Sequence, residues 1–316
     1  MFVVASPLPD RQARQLWGKA RLVEDERNIM WQLHSSSDDP FHNLALEDAL
    51  LSSFDDLGPG LLTYVNRLSV VLGKNQVPWR ECDMALLKRQ GIPLARRISG
   101  GGTVVHDPGN LNVSLFLNRS SYQADAVYRR FIEVLGAVRV AARLEHGNSL
   151  FAGNRKVSGQ AFCYRRNAVL HHATFLVCSD LDQLRALLLP SLPEIETRAI
   201  ASRPASVANL SDLSPGLTVE SLRKAVQERF AAHQARIHEI SMPSIDRDRF
   251  LSEDWVIGQT PAFQCRLPQK DGTSLALSMK RGAMIDGAVL HTDAGPHDRP
   301  DLVGLRFDLD RVLSAG

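Results

Sequence analysis

The residues best placed to do chemistry stand in one run: Arg96-Arg97-Ile98-Ser99-Gly100-Gly101-Gly102-Thr103, then Val104-Val105-His106-Asp107-Pro108-Gly109-Asn110. Three adjacent glycines let the backbone approach a ligand closely and turn several N–H groups into one space. Two arginines just ahead of them add charge and bidentate donors, a combination that suits a phosphate or a carboxylate. The run is not a P-loop, since no Gly-Lys-Ser/Thr follows. Nor is it a dinucleotide fingerprint, since the glycines are not spaced GxGxxG. Taken alone it reads equally well as a glycine-rich hairpin with two surface arginines.

A second segment, Gly153-Asn154-Arg155-Lys156-Val157-Ser158-Gly159-Gln160, sets a lysine near small residues, so that a ligand can come against its point charge. Most lysines are simply solvated, so the segment is weak without context. His171 and His172 are neighbours on an expected strand, face opposite sides, and so cannot grip one metal together. A hydrogen-bonded structural role is the plainer account of each. Cys82, Cys163, Cys178 and Cys265 form no CxxC and no close Cys/His cluster, which argues against zinc and for reduced, intracellular thiols. Cys163 or Cys178 would need a base beside it to act as a nucleophile, and His172 is the candidate; inert thiols fit better. Nothing in the sequence brings Glu47 and Asp107 together as an acid/base pair.

The elements that must position these residues follow from caps and periodicity. Asp39-Pro40 opens a helix, with Leu46, Ala49, Leu50 and Phe54 on one face. Residues 61–72 read as one or two strands, and 92–98 as another that runs into the glycines. In the next strand Leu111, Val113, Leu115 and Leu117 alternate with Asn112 and Ser114. A helix is expected from about 124 to 144 with Tyr128, Phe131, Ile132 and Leu135 inward, and a strand at 169–178. Asp180 caps a helix to about 189, and Leu222, Val226 and Phe230 mark one more. After about 245 short runs at 262–267, 274–279 and 283–291 suggest a three-stranded unit, with a helix near 305–313. Strands and helices without strict alternation give an α+β fold with mixed or antiparallel sheets and packed helices. The domains expected are an N-terminal extension at 1–27, a catalytic domain at 28–245 and a small α/β accessory domain at 246–316.

Composition narrows the classes. The 316 residues suffice for one large domain plus a small one, and 44% apolar with 23% charged residues is ordinary for a packed globular chain. A net charge of +2 without a basic block gives no reason to expect nucleic acid. No apolar run approaches the roughly 18 residues of a membrane span. Arg11, Arg14, Lys19 and Arg21 precede an acidic cluster at 24–26. That pattern fits a plain N-terminal extension, with a mitochondrial transit peptide as the alternative. The expected compartment is the cytoplasm, with the mitochondrial matrix as the alternative.

In order, these segments resemble the lipoate–protein ligase and lipoyltransferase family from Asp39 to Phe263. Asp39 to Glu47 is similar to its opening helix, and Val70 to Cys82 to its VVIGRxQNPWxEC segment. Arg96 to Asn112 meets RRxSGGGxVxHDxGNxN, Lys156 to Ala161 meets K(V/I)SGxA, and His171 to Leu176 meets HHxTLL. Trp255, Gly258, Pro261 and Phe263 match the WxxGxxPxF entry to an accessory domain. The resemblance implies the biotin–lipoate protein ligase fold. It also implies activation of lipoate or octanoate with ATP and Mg²⁺ to lipoyl-AMP, then transfer to a lysine of an acceptor. Lys156 is implied as the catalytic residue. Arg97, Ser99, Gly100, Gly101, Gly102, Thr103, His106, Asn148, Ser158, Gly159, His172 and Arg203 join it around lipoyl-AMP or ATP. Acceptors implied are the lipoyl domain of a 2-oxoacid dehydrogenase E2, the glycine-cleavage H protein or a specialised carrier, with no nucleic acid and no membrane.

Two departures bear on the ATP step. The ligases' Arg-Asn-Asp-Leu stretch reads Gly147-Asn148-Ser149-Leu150, so a serine replaces the acid. The adenylate loop, near 190–206, has Arg198 and Arg203 but no lysine, and 201–206 looks closer to the lipoyltransferase branch. The leading expectation, from the whole set of matches, is still an ATP-dependent ligase. The alternative is a lipoyltransferase using preformed lipoyl-AMP or a lipoyl-protein donor. A cysteine acyltransferase is disfavoured by the retained triple glycine and His106, and a non-catalytic sensor by the retained Arg97 and Lys156.

Overall fold

Asp39 caps helix α1 (Pro40–Ser52) by accepting from the Phe41 amide, with proline at the first turn where no N–H is needed. Phe54 then starts a separate turn of helix, Phe54–Leu57, rather than extending α1. The chain is seen in a computed structural model that describes residues 30–192, 194–230, 242–269 and 271–314. The expected extension at 1–27 lies outside the described residues.

The strands of the first part are β1 (Trp31–His34), β2 (Gly60–Tyr64), β3 (Ser69–Leu72), β4 (Leu94–Arg96) and β5 (Val104–His106). They continue with β6 (Asn110–Asn118), β7 (Arg143–Glu145), β8 (Ser149–Ala152), β9 (Arg155–Tyr164) and β10 (Ala168–Leu176). Seven of them form a mixed sheet in the order β1-β2-β6-β10-β9-β8-β7, in which only β1 and β2 run parallel. A smaller sheet, β4-β3-β5, carries the glycine run between β4 and β5.

Alternation sorts the two faces of the large sheet. Leu111, Val113 and Leu115 of β6, with Phe175 of β10, pack against helices α2 (Ala124–Ala137) and α3 (Val219–Phe230). Leu62, Phe116 and Leu170 pack on the other face against Leu44 and Leu50 of α1. Asn112 and Ser114 share that second face and are also buried. A buried polar stripe on a central strand signals something other than core, and it lies over the site described below.

Two expectations are corrected. The helix expected to reach 144 stops at Ala137. Arg139 turns at φ 63°, the Val140 amide folds back onto the Leu135 carbonyl, and 143–145 form β7 instead. The C-terminal unit has five strands rather than three: β11 (Glu196–Thr197), β12 (Phe263–Pro268), β13 (Ser274–Lys280), β14 (Met284–Thr292) and β15 (Gly295–Asp298). The extra β15 continues β14 through a tight turn, and β11 is lent by the earlier part of the chain. The helix near the end is Leu309–Ser314. Short helices α4 (Arg247–Leu251) and α5 (Glu253–Val256) lead into this unit. Among the described residues no helix is long and apolar enough to cross a membrane.

Candidate functional site

A cavity of about 710 Å³ opens on the α1 face of the large sheet. Its floor is a row of residues in strict register: Tyr64 on β2, Asn112 on β6, Thr174 on β10 and Gly159 on β9. Gly101 to Thr103 form one wall, and the β7–β8 turn with Asn148 and Ser149 forms another. A strap of residues 200–206 closes the top.

Lys156 enters from the β9 end. A register shift between Leu150 and Phe151 sets Lys156 opposite Phe151. A Cβ on Gly159 would stand 3.1 Å from both Cε and Nζ of Lys156, so glycine there leaves the lysine its space. The ammonium has no hydrogen-bond or ion-pair partner among the described residues, although the side chain is mostly buried. Burial lowers its pKa from the ordinary lysine value, and the charge of Arg97 lowers it further. The strap is sewn to the same strand, since the Lys156 amide donates to the Ser206 carbonyl at 2.8 Å and the Ala208 amide to the Lys156 carbonyl at 3.1 Å. Arg203 on the strap is exposed, lines the cavity and is likewise unpaired.

The arginines ahead of the glycines are both engaged by the protein's own backbone. Arg97 is buried and donates to the Val71, Gly100 and Gly102 carbonyls at 3.1, 2.6 and 2.7 Å and to Ser99 Oγ at 2.9 Å. Arg96 is wholly buried and reaches the carbonyls of Gly73, Lys74, Gln76 and Val256 and the Thr260 hydroxyl. Burial pulls both pKa values down to about 10, which leaves them cationic at neutral pH. They are braces that curl the loop, and Arg97 also lines the cavity beside the loop's own amides. Those of Gly100, Gly101 and Gly102 find no acceptor among the described residues. Gly101 takes φ +87°, a region costly for a branched residue. Gly73 belongs to the same device, because a Cβ there would stand 2.1 Å from the Gly101 carbonyl oxygen.

The histidine pair splits as expected. His172 lines the cavity; its Nε2 lies 2.6 Å from Ser99 Oγ and its Nδ1 3.1 Å from Glu47 Oε1. Glu47, wholly buried, also accepts from Tyr64 at 3.0 Å and from Ser114. Burial works to raise the Glu47 pKa, but the charge and hydrogen bond of His172, with the two hydroxyls, outweigh it and hold the carboxyl below its ordinary value. A polar relay thus runs from Arg97 through Ser99 and His172 to Glu47. His171 points to the opposite face, among Phe131, Phe162, Tyr122 and Tyr128, where it meets Gln160 and the Tyr122 hydroxyl.

Other expected residues fall around this frame. Thr103 lines the cavity, with its amide on Ser202 Oγ at 2.8 Å and its hydroxyl on Gln76 Oε1 at 2.7 Å. Asn148 holds the Gln160 carbonyl at 3.0 Å. Ser99, Gly100 and Ser158 do not line the cavity: the first two hold the loop, and Ser158 is buried with its hydroxyl unpartnered. Asp107 bonds Ser179 and the Gly109 and Asp180 amides, away from Glu47. None of the four cysteines is disulfide-bonded, and His172 bonds neither Cys163 nor Cys178, so no base stands ready for a thiol.

Sequence reasoning missed Glu47, Gln76 and Glu81. Glu81 accepts from the Ser202 amide at 3.0 Å and from its hydroxyl, fastening the strap over the glycine loop. A carboxylate among the apolar residues of α1 was the available signal for Glu47. Gln76 and Glu81 stood in the VVIGRxQNPWxEC match, which marked the positions but not their role. No carboxylate lines the cavity, and no cluster of three or more His, Cys, Asp or Glu fit to hold a metal occurs among the described residues. This donor set does not fit Mg²⁺, which takes oxygen ligands and prefers carboxylates.

The family profile of the lipoyl protein ligase A/B catalytic domain matches residues 39–231. The human protein "Lipoyl amidotransferase LIPT1, mitochondrial" is 36% identical over 246 residues, 73% of this chain and 66% of that protein's length. The solved structure of lipoate-protein ligase A bound with ATP is 27% identical, with TM-score 0.57 over 73% of this chain and 98% of that one. The bi-partite lipoate protein ligase of Thermoplasma acidophilum, studied with its E2 lipoyl domain, is 26% identical, with TM-score 0.59 over 73% of this chain and 97% of that one.

Proposed function

Because this chain belongs to the lipoyl protein ligase A/B catalytic-domain family, with the mixed-sheet fold of the lipoate ligases, we propose that it transfers a lipoyl group to a lysine of an acceptor protein. We propose further that it takes the group already activated, as lipoyl-AMP or on a protein donor. The observation that carries this reading is a cavity with two unpaired cations, Lys156 and Arg203, and no carboxylate in its lining. Such a lining receives a phosphate anion well and offers a magnesium ion neutral oxygens but no carboxylate. The amidotransferase name of the human relative supports the same choice.

In this reading the free amides of Gly101 and Gly102 and the Arg203 guanidinium hold the adenylate phosphate, and Lys156 faces the acyl carbonyl. As the acceptor's amine attacks, charge builds on the carbonyl oxygen and then on the leaving phosphate. A preformed ammonium in a partly desolvated site stabilises both without reorganising. Arg97 acts through the loop it curls. Lipoyl domains of E2 proteins, the glycine-cleavage H protein or a specialised carrier are the acceptors we propose; the archaeal ligase was studied with such a domain. The human relative's mitochondrial name supports the matrix over the cytoplasm as the compartment. Residues 246–316 are proposed as a small accessory domain following a catalytic one at 28–245.

The second reading, an ATP-dependent ligase, is favoured by the ATP-bound relative. One experiment separates the two. The purified chain receives an E2 lipoyl domain with either lipoyl-AMP or lipoate, ATP and Mg²⁺, and acceptor mass and pyrophosphate are followed. We expect the acceptor to gain one lipoyl group from lipoyl-AMP with little pyrophosphate from ATP. Brisk pyrophosphate release would favour the ligase, and no transfer from either donor, or from a lipoylated carrier protein supplied in a parallel reaction, would sink both readings.

A further inference from the structure

Among the described residues, two buried nitrogen atoms on cavity-lining residues have no hydrogen-bond partner: Nε2 of Gln160 and Nε2 of His106. Gln160 turns its side chain to the His171 face, away from the floor. His106 does not, and the role of its free nitrogen is fixed from outside the cavity. The Ser37 carbonyl can only accept, so the Asn43 group 2.8 Å from it is the amide Nδ2. The same Nδ2 donates to Asn66 at 2.7 Å, which makes that atom Oδ1 and turns Asn66 Nδ2 toward His106 Nδ1 at 2.9 Å. His106 Nδ1 therefore accepts, and its proton sits on Nε2. Burial, and then the charge of Arg97, push the imidazole pKa down to about 3, so the ring is neutral at pH 7. The result is a neutral N–H donor, 3% exposed, held in one tautomer with nothing to give its proton to. Leaving a buried donor unmade costs free energy, so an orphan of this kind points to a ligand atom.

Its place in the cavity says which atom. Lys156 stands at the β9 end of the floor, against Gly159. His106 is tied to Asn66, two residues beyond Tyr64, at the β2 end. Between the two ends the floor crosses three strand spacings, roughly 14 Å at ~4.8 Å each. An acyl chain with its carbonyl at Lys156 runs over Thr174 and Asn112 and ends near Tyr64 and His106. An octanoyl chain ends there in a methyl group, which accepts nothing. A lipoyl chain ends in a ring with two sulfur atoms, whose lone pairs are weak acceptors. We propose that His106 Nε2–H is a specificity-determining donor that favours an acyl chain ending in a sulfur ring over a plain alkyl end. The inference rests on the lipoyl-transfer reading above and adds the choice of acyl group.

The test uses the full chain and non-hydrolysable sulfamoyl analogues of lipoyl-AMP and octanoyl-AMP. Calorimetry should give wild type about a tenfold preference for the lipoyl analogue, the scale of one buried donor left unmade. His106→Phe should bring the two affinities together, mainly by tightening octanoyl binding. His106→Gln, which keeps an amide donor on a similar reach, should keep most of the preference. Nitrogen-15 spectra of the wild-type imidazole give a readout independent of any mutant's fold. They should show a protonated Nε2 that shifts with the lipoyl analogue and not with the octanoyl one. Equal affinities in wild type, an undiminished preference in His106→Phe, or a proton on Nδ1 would overturn the inference alone. Binding of neither analogue would overturn the lipoyl reading and this inference with it.

Discussion

Arg97 and Lys156 carry the same charge against the same cavity, yet the two regions that present them are built on opposite plans. On the glycine-loop side most arginine donors are given to the protein: four bonds from Arg97, five from Arg96. On the β9 side Lys156 and Arg203 give nothing away. The first region uses charge to shape backbone, and the second leaves its charge unengaged among the described residues. A cation's usefulness in a site is thus measured by its unspent donors rather than by its presence.

The contrast is sharpest in activity. Lys156→Ala should lower lipoyl transfer by about 10²–10³-fold, the usual effect of removing one transition-state donor, with thermal stability unchanged. A well-folded mutant at wild-type rate would break the comparison outright. Arg97→Ala should do the reverse in kind. By stranding buried carbonyls and the Ser99–His172–Glu47 relay, it should cost about 3 kcal/mol of unfolding free energy in urea titrations. If Arg97→Ala unfolds like wild type but loses lipoyl-AMP affinity, the arginine grips the ligand after all.

Glu47 sharpens the picture through pH. Its folded pKa lies below the ordinary carboxylate value of 4.5, so its contribution is full above that value and fades as pH falls through the lower folded one. Wild type should therefore lose stability with acid more steeply than Glu47→Gln in that window. Parallel pH profiles would mean that the relay carries no net charge coupling. The smallest effect is expected at the thiols. Cys163→Ser and Cys178→Ser should each change the transfer rate by less than about twofold, because no histidine activates either one. A trapped thioester on either cysteine would replace the scheme.

What the sequence showed and hid follows from distance along the chain. The glycine run, the lysine beside Ser158-Gly159 and the opposed histidines were legible because each is a local pattern. Glu47 was not, because its partner His172 lies 125 positions away and no period or cap encodes that meeting. The bracing by the arginines was hidden because a sequence gives a residue's charge but not which carbonyls surround it. Ser158 was carried over with its motif, yet strand alternation turned it away from the cavity. The helix end at Ala137 depended on a positive φ at Arg139, a residue without a strong preference for that region. The two-residue β11 is too short to carry a pattern, so the fourth and fifth strands of the C-terminal sheet were not foreseen together.

Arg96 also constrains the order in which the molecule is made. Its carbonyl partners at Gly73, Lys74 and Gln76 are near in the chain, but Val256 and Thr260 lie 160 and 164 positions further on. During synthesis the guanidinium exists long before its last two acceptors do. Contacts of such long span form late, since the intervening chain must be closed first. The glycine loop therefore reaches its final shape only when nearly the whole chain has emerged, so a stalled or truncated product carries Lys156 without an ordered glycine loop beside it. Pulsed hydrogen exchange during refolding should show the Lys74 amide, bonded to the Ser99 carbonyl, gaining protection together with the segment at 256–260 and after the β6–β10 pair.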